Sequence, residues 1–196
     1  MESMAMTAIE LTRGQELALA AADEPGLTRL RMGIGWDKER TAGFIGTGAP
    51  DVDLDASAVQ FAGDQLFDLA FFNNLRTRDG SVVHLGDNLT GRGEGDDEVI
   101  TVDLSKVYSK VDTIVFLVSS YHGHTLEWIN RAYARLVRDD DNVEVARLKL
   151  TFGVPETGLV MAKLVRDGTQ WKLQAIGEGV AVTKPTDAIE ALRRFL

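Results

Sequence analysis

Residues 86–98, GDNLTGRGEGDDE, place Asp87, Glu94, Asp96, Asp97 and Glu98 in a run broken by glycines 86, 91, 93 and 95, with Arg92 as the single base. Carboxylates this close on a flexible backbone repel one another strongly when partly desolvated and weakly when wet. Capture of a hard cation turns that repulsion to use. Calcium takes about six to eight oxygens at roughly 2.3–2.6 Å in irregular geometry. Glycines let the backbone turn tightly and aim its carbonyls inward. Asp87, Asn88, Asp96, Asp97 and Glu98 bring side-chain oxygens. A solvated acidic loop is the alternative.

A second acidic stretch, Asp51-Val-Asp53-Leu-Asp55, carries acids at alternate positions and leads into the strand-like ASAVQF. The D-x-D-x-D pattern opens an EF-hand, but here the sixth position is Ala56 rather than glycine and the twelfth is Ala62 rather than glutamate. An EF-hand is therefore excluded. Loops at one end of a β-sandwich can instead converge on a shared calcium site. A third stretch, FFNNLRTRDGSVVHLGDN, sets Asn73 and Asn74 after an apolar run. The pair reads as a turn former, or as neutral amide ligands that complete a site without adding repulsion.

The formal net charge of −9 is concentrated in these loops. Eight acids against one arginine in 51–55 and 86–98 leave −7 there. Phosphates would be repelled, so nucleic acid is not the expected partner of the loops. Cysteine is absent, which removes disulfides, thiolate metal sites and cysteine nucleophiles. No run of about eighteen apolar residues is present, so no transmembrane segment is expected. The first residues, MESMAMTAIELTRGQ, lack a secretory pattern, and a cytoplasmic location is expected.

The elements that must position the loops read mostly as short strands. In LTRLRMGIGW, Leu30, Met32, Ile34 and Trp36 alternate with small or charged residues, and Ile100, Val102 and Leu104 do the same in VITVDL. The apolar run VDTIVFLVSS predicts a central core strand. RAYARLVRD and VEVARLKL predict a hairpin around Asp140-Asp141-Asn142. LVMAKLVR and TQWKLQAI predict another, with an Asp167-Gly168 connection suited to a type I′ turn. A C-terminal helix over 187–196 is expected, capped by Asp187, with Ile189, Leu192 and Phe195 as its apolar stripe. The whole predicts an all-β, single-domain antiparallel β-sandwich of two sheets with a few short helices.

Enzyme signatures are lacking: there is no G-x-S-x-G, no phosphate-binding G-x-x-x-x-G-K-[ST], and Lys38 stands where a dinucleotide fingerprint needs its third glycine. His122-Gly-His124, with His84, has the residue types of a zinc site. It is read as a surface turn after the core strand.

GIGWD (33–37), DLDAS (53–57), FFNNLRTRDGSVVHLGDNLTG (71–91) and the closing GDDE, followed by VARLKL and AIGEG (175–179), resemble the TerD family of tellurium-resistance and stress proteins, over about residues 8–180. SSYHGHTLEWINRAYARLV is similar to the family's TerZ branch. The resemblance implies a two-sheet β-sandwich binding two calcium ions at one end, in bacterial cytoplasm. It implies a place in a cluster linked to tellurite, phage and other stress resistance. Because a bound ion makes the local potential less negative or positive, a non-enzymatic calcium-dependent scaffold or partner-docking module is expected, with a protein partner in a membrane-associated resistance complex. By motif, the implied ligands are Asp53, Asp55, Asn73, Asn74, Asp87, Asp96, Asp97 and Glu98. Arg92 and Glu94 depart from the family's more usual GEGDGDDE. The alternative reading is a metal-dependent enzyme acting on phosphate-containing metabolites.

Overall fold

Apolar residues at every second position make a strand with one face to bury, and two such sheets stacked face to face bury both. The computed structural model describes residues 8–20, 26–36, 53–87, 95–129 and 132–196. Its strands are β1 (Ile9–Thr12), β2 (Glu16–Ala18), β3 (Arg29–Trp36), β4 (Asp55–Ala62), β5 (Gln65–Ala70) and β6 (Val82–Asp87). They continue with β7 (Glu98–Asp103), β8 (Thr113–Ser119), β9 (Ala132–Arg138), β10 (Glu144–Lys149), β11 (Gly158–Asp167) and β12 (Gln170–Val180). One sheet, A, runs β1-β10-β9-β3-β7-β6; the other, B, runs β2-β12-β11-β8-β4-β5. All pairings are antiparallel except β1 on β10, which is parallel. The expected sandwich of two sheets is what the chain forms.

The alternating residues of β3 face sheet B: Leu30, Met32 and Ile34 are fully buried, with Ile100, Val102, Ala56, Ala58 and Phe116 in the same cluster. Every residue of β8 is buried. An apolar run with no polar face needs cover on both sides. Ile114, Phe116 and Val118 meet sheet A, while Val115 and Leu117 meet a second cluster with Val59, Phe61, Val160, Ala188 and Leu192. The C-terminal segment thus lids the outer face of sheet B, with Ile189 and Phe195 packed beside it as the stripe required.

Two local expectations need correction. The helix over 187–196 divides into a 3-10 turn (Pro185–Asp187), a single α-helical turn α1 (Ile189–Leu192) and a second 3-10 turn (Arg193–Phe195). Asp187 does not cap it. Its N–H is bonded to Lys184 O within the first turn, and α1 is preceded by Ala188 with no side-chain cap. In the β11–β12 hairpin, Asp167 pairs with Gln170, so the two-residue loop is Gly168-Thr169 rather than Asp167-Gly168. Only Gly168 has positive φ, +62°, the pattern of a type II′ turn instead of I′. The Asp140-Asp141-Asn142 turn is as expected, with Asn142 at φ 60°.

At the end of the sandwich away from the acidic loops, Asp79 closes the turn that leads into β6. It accepts from the Ser81 and Tyr108 N–H groups at 3.0 Å each, from the Thr77 and Ser81 hydroxyls at 2.8 Å each, and from Gln60 Nε2 at 3.2 Å. Burial alone would raise its carboxyl's pKa, but these donors outweigh it and hold it below the ordinary 3.8.

Leu192→Ala should destabilise the fold by roughly 2–5 kcal/mol, with the melting temperature falling by roughly 2–4 °C per kcal/mol, because it uncovers the outer face of sheet B. Leu196→Ala, at a residue 38% exposed, should leave melting nearly unchanged. Equal melting of the two variants would mean that the segment contributes no lid. For Asp79, a depressed folded pKa stabilises the fold above the unfolded value and is lost as pH falls through the folded value. The stability gap between wild type and Asp79→Asn, read by urea unfolding, should therefore be full above the ordinary 3.8 and shrink on acidification below it. A gap that ignores pH would refute this.

Candidate metal centre

Strand register brings the acidic stretches to one end. Ile34, near the end of β3, pairs with Glu98 at the start of β7, and Asp87 at the end of β6 pairs with the same Glu98. In sheet B, Asp55 opens β4 opposite Ser119, and Ala58 pairs with Ala70 at the end of β5. The chain then turns through 71–74, where Phe71 and Asn74 exchange backbone hydrogen bonds. Asp53, Asp55, Asn73, Asn74, Asp87, Asp96, Asp97 and Glu98 therefore all stand at the same end of the sandwich, from segments far apart in sequence.

Their surroundings differ. Asp53 and Asn73 are exposed, and Asp55 and Asn74 are half-buried. Asn74 donates its Nδ2 to Leu69 O at 2.7 Å, which leaves the amide oxygen as its ligand-capable atom. Asp97 Oδ2 accepts from the Trp36 N–H at 2.9 Å, while the Asp97 N–H donates to Ile34 O, so this aspartate extends the β3–β7 ladder past its last paired residues. Asp87 contributes its position as the last residue of β6.

Glu98 is buried and turned inward. Its Oε2 accepts the Ala56 N–H of the opposite sheet at 2.9 Å and lies 2.9 Å from His84 Nε2. The Gly86 N–H donates to His84 Nδ1, also at 2.9 Å. An N–H needs a lone pair, so Nδ1 is unprotonated and the ring proton is on Nε2, donated to Glu98. The imidazole is neutral in this arrangement and the carboxylate has two donors at one oxygen. A buried charge so served escapes much of its desolvation penalty.

Asp96 lies on the other face of sheet A. Arg135 grips it through Nε and Nη2, at 2.9 and 3.0 Å, and the Tyr133 hydroxyl donates to it at 2.9 Å. Arg135 also reaches Glu144, which Arg147 holds in turn. Burial and the Asp96 carboxylate together raise the Tyr133 phenol well above its ordinary range, and hydrogen bonding to Asp96 raises the Arg135 guanidinium. The 95–96 segment can cross β3 only because of Gly33 and Gly35. A Cβ on Gly33 would lie 2.2 Å from Asp96 Oδ2, and one on Gly35 would lie 2.3 Å from Gly95 O.

Asp96 and Glu98 thus occupy opposite faces of sheet A. Among the described residues no three acidic or histidine side chains are gathered tightly enough to enclose one ion. Parts of both acidic stretches, 51–52 with Asp51 and 88–94 with Asn88, Arg92 and Glu94, lie outside the described residues. His122 and His124 lie in the turn after β8, their rings 6.4 Å apart, whereas His84 is committed to Glu98. Sequence reading missed the roles of His84, Tyr133 and Arg135. His84 had a signal, a polar residue on the inward alternation of a strand. Arg135 had none, because its partner lies 39 residues away.

A two-sheet β-sandwich with acidic segments at one end defines a class of protein, and the sequence places the chain in it: residues 6–183 match the TerD domain. The chain belongs to the TerD family. It is 39% identical over 184 residues to the tellurium resistance protein TerD of Serratia marcescens, covering 88% of this chain and 91% of that one. It is 36% identical over 195 residues to the stress response protein SCP2 of Bacillus subtilis, covering 93% and 98%. TerZ of Serratia marcescens is 36% identical over 173 residues, covering 86% and 89%. The crystal structure of a homologue of telluride resistance protein TerD from Streptomyces coelicolor has the same fold, with a TM-score of 0.65 at 17% identity, over 84% of this chain and 96% of that one. No helix among the described residues is long and apolar enough to cross a membrane.

Arg135→Met removes the charged partner of a half-buried carboxylate and should destabilise the protein by about 1.5–3 kcal/mol. Arg147→Met leaves Glu144 its contact with Arg135 and, at a more exposed pair, should have an effect below about 1 kcal/mol. Thermal melts of both variants decide it. Equal losses would show that the Asp96 contact does not hold the 95–98 segment.

Proposed function

We propose that this protein is a non-enzymatic stress-response protein that binds two calcium ions at the acidic end of the sandwich and acts as a calcium-dependent scaffold for a protein partner. The observation that carries the reading is the convergence of the ends of β3, β5 and β6 with the starts of β4 and β7, which gathers oxygen donors from four separated stretches. The donor set fits the ion: carboxylates and amide oxygens, with no thiolate, suit a large hard cation of irregular coordination. Asp53, Asp55, Asn73, Asn74, Asp87 and Asp97 would supply oxygens. Among the described residues nothing donates to Asp97 Oδ1. Asp96 and Glu98, already held by Arg135 and by His84 with the Ala56 N–H, fix where the 95–98 segment crosses the end. Bound calcium supplies positive charge that offsets the repulsion among these acids and makes the local potential far less negative.

Support for docking comes from the same end. Phe72 and Tyr121 stand edge to face with ring centroids 5.7 Å apart, and both are exposed, as are Leu75 and Leu85. Exposed apolar groups beside a surface made less negative suit a protein partner, the kind of patch through which soluble proteins associate.

The test is melting of wild type, Asp55→Asn, Asp97→Asn and the double variant, each in calcium and in EGTA. Calcium at a hundredfold above its dissociation constant should add about 2.7 kcal/mol per independent site. Each single variant should melt lower than wild type in calcium, and equal or higher in EGTA, where carboxylate repulsion is relieved. The double variant should lose less than the sum of the singles. Singles that melt equally low in both conditions would make these aspartates structural and sink the calcium reading. Calorimetry should also show calcium preferred over magnesium.

A further inference from the structure

The AIGEG segment of β12 supplies none of the candidate calcium ligands, although pairing through Leu159 and Val118 to Ala56 sets it at the same end of sheet B. Its backbone is irregular in a way that a plain strand does not need. Val160 pairs with Glu178 and Ala162 with Ala175, so Ile176 and Gly177 stand opposite Met161 alone. This is a β-bulge, with Gly177 at φ +67°. A Cβ there would meet Leu150 Cδ2 at 2.9 Å. Bulges bend a strand and re-aim its side chains, and they recur beside binding sites. The side chain re-aimed here is Glu178. Next to it, the Glu156 side chain lies over Gly179: a Cβ on Gly179 would be 2.2 Å from Glu156 Oε2 and would displace that side chain.

The bulge forms one wall of a cleft of about 550 Å³. The other walls are the β1–β2 turn with Arg13, the β10–β11 connection from Lys149 to Glu156, and Arg194 from the C-terminal turn. That volume is in the range of small-molecule sites. Its charge runs against that of the chain. Arg13 and Arg194 share one carboxylate, each 2.8 Å from a different oxygen of Glu178. Two guanidiniums on one carboxylate leave most of their N–H donors unspent. The lining as a whole holds three cations, Arg13, Lys149 and Arg194, against two carboxylates, Glu156 and Glu178. Lys149 adds a third cation at the rim, tied to Glu10. Glu156 takes the Leu126 N–H on its backbone carbonyl, while its carboxylate accepts no hydrogen bond and forms no ion pair among the described residues.

We propose that this cleft is a binding site for a small phosphomonoester that also carries hydroxyl groups, its phosphate on Arg13 and Arg194 and its hydroxyls on Glu156. Guanidiniums bind phosphate oxygens through paired N–H donors, and a phosphomonoester brings close to two negative charges at neutral pH. Glu178 holds the two guanidiniums so that little side-chain freedom is lost on binding. Glu156, a pure acceptor, matches hydroxyl donors and disfavours a bare anion. The site is independent of the acidic end and does not rest on calcium.

Calorimetric titration of the full chain, in calcium and again in EGTA, with ribose 5-phosphate, ribose and inorganic phosphate tests it. Ribose 5-phosphate should bind at least about tenfold more tightly than either fragment, and the double variant Arg13→Gln, Arg194→Gln should lose at least about tenfold of that affinity. Glu156→Gln should weaken ribose 5-phosphate but not inorganic phosphate. Circular dichroism checks that both variants fold; all three groups are at the surface. Absence of saturable ribose 5-phosphate binding at millimolar concentration in both buffers would overturn the proposal. So would affinity unchanged in the folded double variant.

Discussion

The two sheets are tied at their acidic end by a single buried carboxylate. Glu98 belongs to sheet A, yet its Oε2 accepts the Ala56 N–H of sheet B and the Nε2–H of His84. Sandwiches are held mainly by apolar contact, which is strong but tolerant of sliding. A charge-assisted hydrogen bond across the gap has a fixed length and direction, so it sets the register of one sheet on the other. The start of β4, the end of β6 and the start of β7 meet around this one oxygen. Asp55 and Asp97 stand next to the paired residues of that junction, Ala56 and Glu98, whereas Asp96 is held separately by Arg135 and Tyr133.

Around the tie the sandwich is asymmetric. The outer face of sheet B is roofed by the C-terminal segment, which lets β8 be apolar on both sides. Among the described residues the outer face of sheet A has no such roof. It carries an ion-pair chain from Asp96 through Arg135 and Glu144 to Arg147, with Tyr133 beside it. The glycines of β3 belong to the same design. Gly33 and Gly35 leave the outer face of the strand bare where the 95–96 segment passes, so that Asp96 reaches across β3 to β9. A larger residue at either position would push away the segment that delivers Asp97 and Glu98.

What the sequence made legible was periodic. Leu30, Met32, Ile34 and Trp36 announced a strand with one buried face, and VDTIVFLVSS announced a strand buried on two, because burial acts on each residue where it stands. Turns were legible in place but not in type. Asp167-Gly168 suited a type I′ loop until pairing at Asp167 and Gln170 moved the loop on by one residue, and register is a property of two strands together. The acidic stretches were recognisable as a group from composition and spacing. Their division of labour was not. Whether a carboxylate faces a guanidinium, as Asp96 does, or a backbone N–H of the other sheet, as Glu98 does, depends on partners that only long-range pairing brings near.

The pairing of the chain's two ends bears on how the protein is made. Among the described strands β1 pairs with β10 and β2 with β12, so both emerge from the ribosome long before these neighbours exist. The same delay applies inside the sheets, where β3 waits for β7 and β9, and β4 waits for β8. Contacts so distant in sequence form slowly, and unpaired strands exposed in the meantime are open to wrong association. Of the edge strands, β5 and β6 can pair early with β4 and β7, whereas β1 and β2 close only after β10 and β12 are made. The segment that roofs sheet B, 185–196, is made after every strand it covers, so the outer apolar face of that sheet stays open until those residues have been made.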